Sequence, residues 1–212
     1  MEPALAYLSR HGARVRLGTA LKTVARDATR LTALQFAGER VALEEGDSVI
    51  LAVPPTVAGA LDLGLTVPDA FNAIVNLHFR DDGGAADGPL LQGVVGGLTE
   101  WLFRYPDRLS VTISAADRLL DTPREELAQT VWAEVAALTG GARAMPAWQV
   151  VRERRATFAA TPAQDARRPA ATTALTNLFL AGDWTATGLP ATIEGAVRSG
   201  QKAAALSRRH ST

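Results

Sequence analysis

Cysteine is absent from the 212 residues. That excludes disulfide bonds, thiolate nucleophiles, iron–sulfur clusters and Cys-ligated zinc at once. Histidine is scarce: His11, His78 and His210 stand far apart in the chain, so no imidazole-built metal centre is expected. Neither sign of charge is in excess, because 22 Lys and Arg balance 22 Asp and Glu. A nucleic-acid partner, which needs a positive surface, is therefore not expected. Long hydrophobic runs are also lacking. The longest, Val49 to Leu61, is interrupted by Pro54 and Pro55 and is too short to span a bilayer. Residues 1–10 contain Glu2 and Pro3 and lack the basic-then-apolar layout of a signal peptide, which points to the cytoplasm.

What is present is a folded, globular composition, 47% hydrophobic and 21% charged, long enough for one large domain or two small ones. Glu2 to His11 reads as a short helix, stopped at Gly12. Strands are expected at Ala13–Leu17, Leu21–Arg26, Leu31–Ala37 and Arg40–Leu43, with turns at 27–30 and at Gly38-Glu39. Ser48 to Val53 is a continuous apolar run of the kind found in parallel sheets. From Asn72 to Phe158 the texture changes. Strands at 74–79, 90–95, 100–103, 109–113 and 150–158 alternate with glycine pairs at 83–84 and 96–97. Thr122, Pro123 and Glu125 open a helix whose Leu127, Val131, Val135 and Leu138 repeat at helical spacing until Gly140-Gly141. The expected organisation is an α/β chain of two domains. Residues 1–53 and 170–212 form one, and 54–169 the other, a mixed-sheet domain inserted between them.

The C-terminal stretch carries the most chemistry. Leu178–Ala181 is a short apolar strand, Gly182 to Leu189 a loop, and Pro190 suits the first turn of a helix running to about Ser207. A strand, a glycine-containing turn and a helix N-terminus together make a corner of free N–H groups and positive helix dipole, suited to an anion or a polar ring edge. An ordinary strand-to-helix turn, with Asp183 as a capping residue, accounts for the same spacing. Gly195 and Gly200 weaken that helix, and the reason to keep them is close approach to another backbone or a ligand.

The segment Leu180-Ala-Gly-Asp-Trp-Thr followed by Gly188-Leu-Pro-Ala-Thr-Ile-Glu-Gly-Ala resembles the C-terminal flavin-binding signature of the flavin amine oxidase and carotenoid desaturase superfamily. Val49-Ile-Leu-Ala-Val-Pro-Pro55 resembles the strand leading out of its nucleotide domain. Five further stretches resemble one branch, the squalene-associated FAD-dependent desaturases that act as hydroxysqualene dehydroxylases in hopanoid synthesis. They are Asn72 to Phe79, Gly93 to Gly97 with Trp101 to Phe103, Thr112 to Asp117, Glu153 to Phe158, and Thr161-Pro162. The resemblance implies FAD as cofactor, a glutathione-reductase-type FAD domain with an inserted substrate domain, a polyisoprenoid substrate, and peripheral contact with the membrane where such a substrate dissolves. Members of that superfamily begin with a G-x-G-x-x-G fingerprint, which this sequence does not contain. The resemblance is to the C-terminal half, and it implies a missing N-terminal half as partner. It leaves two other readings open: a related desaturase or amine oxidase, and a partial domain inactive by itself.

Carried over residue by residue, the resemblance assigns Gly182 and Asp183 to the ribityl and pyrophosphate side of FAD. It assigns Ala191, Thr192 and Ile193 to the flavin pyrimidine edge and Val24 to the adenine. Trp184 and Thr185 line the same loop or pack beneath it. Phe79, Trp101, Phe103 and Phe158 line an apolar substrate pocket or pack a core. His78, in an apolar strand, reads as a satisfied core or pocket histidine. The charges of 152–155 point into a pocket or lie on a solvated edge strand. Asp117 and Glu153 are the carboxylates expected to supply a proton to a leaving hydroxyl.

Overall fold

The computed structural model describes residues 2–81, 90–140 and 143–210; the expected turns at Gly83-Gly84 and Gly141 lie outside these residues. The chain forms two units. One is discontinuous, Met1–Pro68 with Asp165–Thr212, and Asp69–Gln164 is inserted between its parts. These crossings fall farther into the chain than Pro54 and earlier than Pro169. The reason is local: the segment after Pro54 packs back, Gly59 lying against Val67, and Arg167 Nε donates to the Val67 carbonyl at 2.9 Å.

The discontinuous unit opens with α1 (Glu2–Arg10), none of whose residues is buried. Strands β1 (Leu21–Arg26), β2 (Leu31–Phe36) and β3 (Glu39–Ala42) form an antiparallel meander. Asp27 Oδ1 builds the first turn, accepting the amides of Thr29 at 2.7 Å and Arg30 at 2.8 Å. The strand expected at Ala13–Leu17 does not form. The stretch is exposed, with Leu17 82% accessible, and no neighbouring strand supplies a ladder. Strand β4 (Val49–Leu51) is shorter than the apolar run that contains it, and its Ile50 is exposed rather than covered on both faces. Helix α2 (Pro55–Gly59) follows.

The inserted unit is one antiparallel sheet of β5 (Phe71–Arg80), β6 (Leu91–Gly93), β7 (Trp101–Tyr105), β8 (Arg108–Ile113) and β9 (Trp148–Phe158), in the order β6-β7-β8-β5-β9. Alternate residues Val75, Leu77, Phe79, Leu102, Leu109, Val111 and Val150 project to one face. They pack there against Leu127, Val131, Trp132 and Val135 of α3 (Arg124–Leu138). Burying each of these larger side chains stabilises the unit by about 1.5–3 kcal/mol. Thr122 does not cap α3 as its spacing suggests. Pro123 holds the cap position without a side-chain hydrogen bond, and the Thr122 carbonyl instead accepts from the Arg152 guanidinium. After β9 comes the single turn α4 (Pro162–Asp165). There the buried Gln164 accepts the Asp69 amide at 2.9 Å and donates to Asp69 Oδ1 at 2.8 Å, joining the two ends of the unit.

Glu134 on α3 pins the loop between β6 and β7, accepting the amides of Leu98 at 2.9 Å and Thr99 at 2.7 Å. Gly97 is needed there, because a Cβ would lie 2.7 Å from Glu134 Oε1. Burial acts to raise the Glu134 pKa, but the two amides and the Thr99 hydroxyl outweigh it and hold the carboxyl below its ordinary value. A depressed folded-state value stabilises the protein above the unfolded carboxyl pKa and loses that contribution as pH falls through the folded value. Glu134→Gln is therefore expected to lower stability at pH 7 by about 1 kcal/mol. The gap from wild type should close as pH drops below about 4. Thermal melts of both proteins at pH 7 and 3.5 measure it, and a gap that stays constant would contradict the assignment.

The chain then returns to the first unit. Strand β10 (Leu178–Leu180) pairs with β4 in parallel, Phe179 opposite Ile50. The fully buried Asn177 fixes its start. Its Oδ1 accepts the Leu31 amide at 2.8 Å and its Nδ2 donates to the Leu31 carbonyl at 3.0 Å, tying β10 to β2. Helix α5 (Ile193–His210) begins three residues after Pro190, not at it. Thr192 is the cap: its Oγ1 accepts the Gly195 amide at 3.1 Å. The Pro190 carbonyl would lie 3.1 Å from a Cβ at position 195, so Gly195 meets the expected close approach, whereas among the described residues nothing would come within 4 Å of a Cβ at position 200.

Candidate functional site

The turn from β10 to α5 gathers most of the expected cofactor-side residues. Ala181 continues the parallel pairing, its amide donating to Leu51 at 3.0 Å. Gly182 then takes φ +143°, a conformation that side chains rarely adopt, and a Cβ would sit 2.4 Å from Trp184 Nε1. The Gly182 amide donates to Ser199 Oγ of α5 at 2.7 Å, and that hydroxyl donates to the Ala196 carbonyl at 2.7 Å. Trp184 is almost wholly buried, and its Nε1 donates to the Val53 carbonyl at 2.9 Å, at the end of β4. The structure thus gives Trp184 the packing role. Thr185, also buried, closes the turn by donating to the Gly182 carbonyl at 2.9 Å.

The turn is held from outside by Arg168, which sequence reasoning passed over. Its side chain is 5% exposed. Nη2 lies 3.0 Å from the Asp183 carbonyl, 2.7 Å from that of Thr185, 3.0 Å from Thr187 Oγ1 and 2.8 Å from the Leu189 carbonyl. Nη1 pairs with Asp165 at 2.9 Å. The planar fork of a guanidinium suits several fixed acceptors at once. No local motif marks such a residue, because all its partners but Asp165 lie 15 to 21 residues away.

Two sets of groups are left over at this corner. The Asp183 carboxylate is half-buried and has no protein partner among the described residues. The amides of Ala191, Thr192 and Ile193 precede or open α5 and likewise have none, and Ile193 is 86% exposed. They make up the positive end of a helix of 18 residues. Val24 lies in the same unit on the edge strand β1, whose outer backbone edge is unpaired. It lines an open cavity of about 540 Å³ with Arg26, Asp27, Ala28 and Asp62.

The inserted unit separates the residues expected to line a substrate pocket. Trp101 and Phe103 project from the face opposite α3, in two rows across the sheet. One row is Leu91, Phe103, Ser110, His78 and Gln149; the next is Gly93, Trp101, Thr112, Asn76 and Val151. The Trp101 ring lies over Gly93, 3.3 Å from where a Cβ would stand. Phe79 is on the other face, fully buried against Trp132 with ring centroids 5.0 Å apart, so it packs the core rather than a pocket. Phe158 is buried opposite Phe71 at the far end of β9. The expected acids are not brought together. Asp117 anchors a 3-10 turn (Ala116–Leu119) to β5, its Oδ2 accepting the Ala73 amide at 3.1 Å. Glu153 is exposed on β9 opposite Ile74, accepting the Arg155 amide at 3.1 Å. Of the charges at 152–155, Arg152 turns to the α3 side and reaches Thr122. An apolar cavity of about 480 Å³ beside α3, lined by Trp132, Ala136 and Met145, contains none of the expected residues. Among the described residues no group of His, Asp and Glu is arranged to hold a metal, and no helix is long and apolar enough to cross a membrane.

Comparison with known proteins bears on both units. Residues 1–83 and 87–206 match the family model of flavin containing amine oxidoreductases. The chain is 55% identical over 206 residues to a hydroxysqualene dehydroxylase of Sinorhizobium fredii, covering 97% of this chain and 49% of that protein. It is 46% identical over 211 residues to one of Zymomonas mobilis, covering 100% and 51%. The chain thus spans about half the length of the curated relatives it matches. A putrescine oxidase variant redesigned in its cofactor binding superposes with a TM-score of 0.70 at 18% identity, over 98% of this chain and 52% of that one. The FAD-dependent myxobacterial chondrochloren halogenase CndH superposes with a TM-score of 0.61 at 11% identity, over 100% and 50%. These two show the fold. With residues 1–83 and 87–206 of both units matched by the family model, the chain belongs to the flavin containing amine oxidoreductase family.

Proposed function

We propose that this chain supplies the flavin-edge corner and the substrate sheet of an FAD-dependent hydroxysqualene dehydroxylase, working with a half that carries the dinucleotide fingerprint. The observation that carries the reading is identity of 46–55% to proteins of that name, maintained over 97–100% of this chain. The corner fits FAD in chemistry. The Asp183 carboxylate is available to ribityl hydroxyls, the free amides of 191–193 to the polar edge of the flavin ring, and the edge of β1 at Val24 to the adenine. Gly182 serves the turn itself, since its φ of +143° and the Trp184 ring leave no room for a Cβ. Reduced FAD supplies, when bound, the hydride that replaces the departing hydroxyl. The chain's own part is to place donors at the ring edge, where they favour negative charge on a reduced flavin, and to hold the hydrocarbon on an apolar sheet face. Such a substrate is membrane-soluble, and peripheral membrane contact belongs to this reading.

The test is reconstitution. The chain is produced alone and together with the N-terminal half of the Sinorhizobium relative, incubated with FAD and desalted. Its visible spectrum is recorded, and hydroxysqualene is then supplied under reducing conditions. A flavin spectrum retained by the two-chain complex and formation of squalene are expected. A complex that holds flavin but turns over only phytoene or an amine would reassign the substrate, and a colourless complex would overturn the reading.

A further inference from the structure

The sheet face opposite α3 carries polar groups that the fold does not use up. Across β5 and β8, His78 stands opposite Ser110, with Nδ1 and Oγ 2.8 Å apart, and Asn76 stands opposite Thr112, whose Oγ1 donates to Asn76 Oδ1 at 2.7 Å. These bonds leave His78 Nε2 and Asn76 Nδ2 with no protein partner among the described residues. The two residues are separated by one position on a strand, so they share a face about 7 Å apart. Around them the face carries the apolar side chains of Phe103 and Trp101 on β7, Leu91 on β6 and Val151 on β9, with Gln149 next to His78 on β9 and Arg80 and Arg108 along the next row. The contact fits either tautomer; in the one where the Ser110 hydroxyl donates to Nδ1, the neutral imidazole carries its proton on Nε2 and donates from there. Burial, and then the charge of Arg108 on the same face, hold His78 below its ordinary pKa, which keeps the ring neutral at pH 7.

We propose that His78 Nε2–H binds the hydroxyl oxygen of a polyisoprenoid alcohol whose hydrocarbon lies along Phe103 and Trp101. The proposal rests on the function proposed above and adds to it the residue that distinguishes the alcohol from its hydrocarbon product. A hydrocarbon laid over the same aromatics covers this donor without meeting it, whereas the alcohol satisfies it, so the donor discriminates against a ligand lacking that oxygen. It also eases product release, since the hydrocarbon leaves that donor unmet.

The experiment uses the chain itself, with hydroxysqualene and squalene each presented in detergent micelles, and binding measured by equilibrium dialysis. Wild type is expected to bind the alcohol about tenfold more tightly than the hydrocarbon, the worth of one hydrogen bond. His78→Phe is expected to abolish that preference and leave squalene binding unchanged. His78→Gln, which retains an N–H donor, is expected to keep most of it. The His78 Nε2 resonance in nitrogen NMR should move with hydroxysqualene and stay in place with squalene. A preference that survives in His78→Phe overturns the assignment. Equal wild-type affinity for the two ligands overturns hydroxyl recognition while leaving a polyisoprenoid-binding face. Binding of neither ligand by the chain overturns this assignment, while the two-chain reconstitution tests the functional reading separately.

Discussion

Gly182→Ala is expected to lower the melting temperature of the chain by about 8 °C, corresponding to a loss of about 3 kcal/mol. Two costs combine. The backbone at φ +143° is rarely available to a residue with a Cβ, and that Cβ would overlap Trp184 Nε1 at 2.4 Å. Trp184 cannot move aside cheaply, because it is buried and its ring N–H is bonded to Val53. If the indole shifts, the hydrogen bond that fastens the turn to the end of β4 is lost as well, and in the reconstituted complex flavin retention should fall with it. Gly200→Ala is the counter-experiment on the same helix. Position 200 faces open space, so the alanine should raise stability by about 0.5–1 kcal/mol. Circular dichroism melts of the two variants decide the matter: equal shifts would show that generic glycine replacement, rather than the overlap at Trp184, governs the corner.

Arg168→Met is the second large effect. The substitution keeps an unbranched side chain but removes every donor from a site surrounded by three carbonyls and a hydroxyl. Buried acceptors stripped of a charged donor are expected to cost about 3 kcal/mol. The damage is confined to residues 183–189, so β10 and α5 should persist while the loop between them loosens. FAD affinity of the reconstituted complex should drop at least about tenfold, since the cofactor would then have to order the loop it binds. Arg168→Lys should recover little, because a single ammonium lacks the fork that reaches acceptors and Asp165 together. Flavin titration and thermal melts test this, and a melting point for Arg168→Met within a degree of wild type would refute it.

What the sequence made legible follows from how local each signal is. The meander, β10 and the turn after it announce themselves through alternation and a Gly-Asp pair, and the structure forms them. The stretch Ala13–Leu17 has the same alternation but no partner strand, and pairing is a tertiary fact that alternation cannot supply. Pro190 was a reasonable helix start by propensity, yet Thr192 captured the cap because its hydroxyl reaches the Gly195 amide. Phe79, Trp101 and Phe103 look alike as aromatic strand residues. Only the registers of β8 against β5 and against β7 send Phe79 under α3 and the other two to the opposite face. Arg168 and Asn177 left no trace in their own neighbourhoods, because what they bind is distant in sequence: Asn177 reaches Leu31 across 146 positions. Asp117 was legible as part of a motif, but its bond to the Ala73 amide is a structural task that the motif does not disclose.

The side-chain clasp between Gln164 and Asp69 has a kinetic consequence. Strands β4 and β10 must meet across more than a hundred intervening residues, and an unstructured loop of that length makes the encounter slow and entropically unfavourable. Once the inserted sheet has folded and its ends are clasped, most of those residues no longer wander. The effective loop shrinks about fourfold, which reduces the entropic penalty of closure by about 1.2 kcal/mol. The order of events follows: the contiguous unit, two of whose four strand pairings join sequence neighbours, folds first, and the divided unit assembles afterwards on a shortened tether. A fault in the divided unit then leaves the inserted unit intact, whereas a fault in the inserted unit delays both.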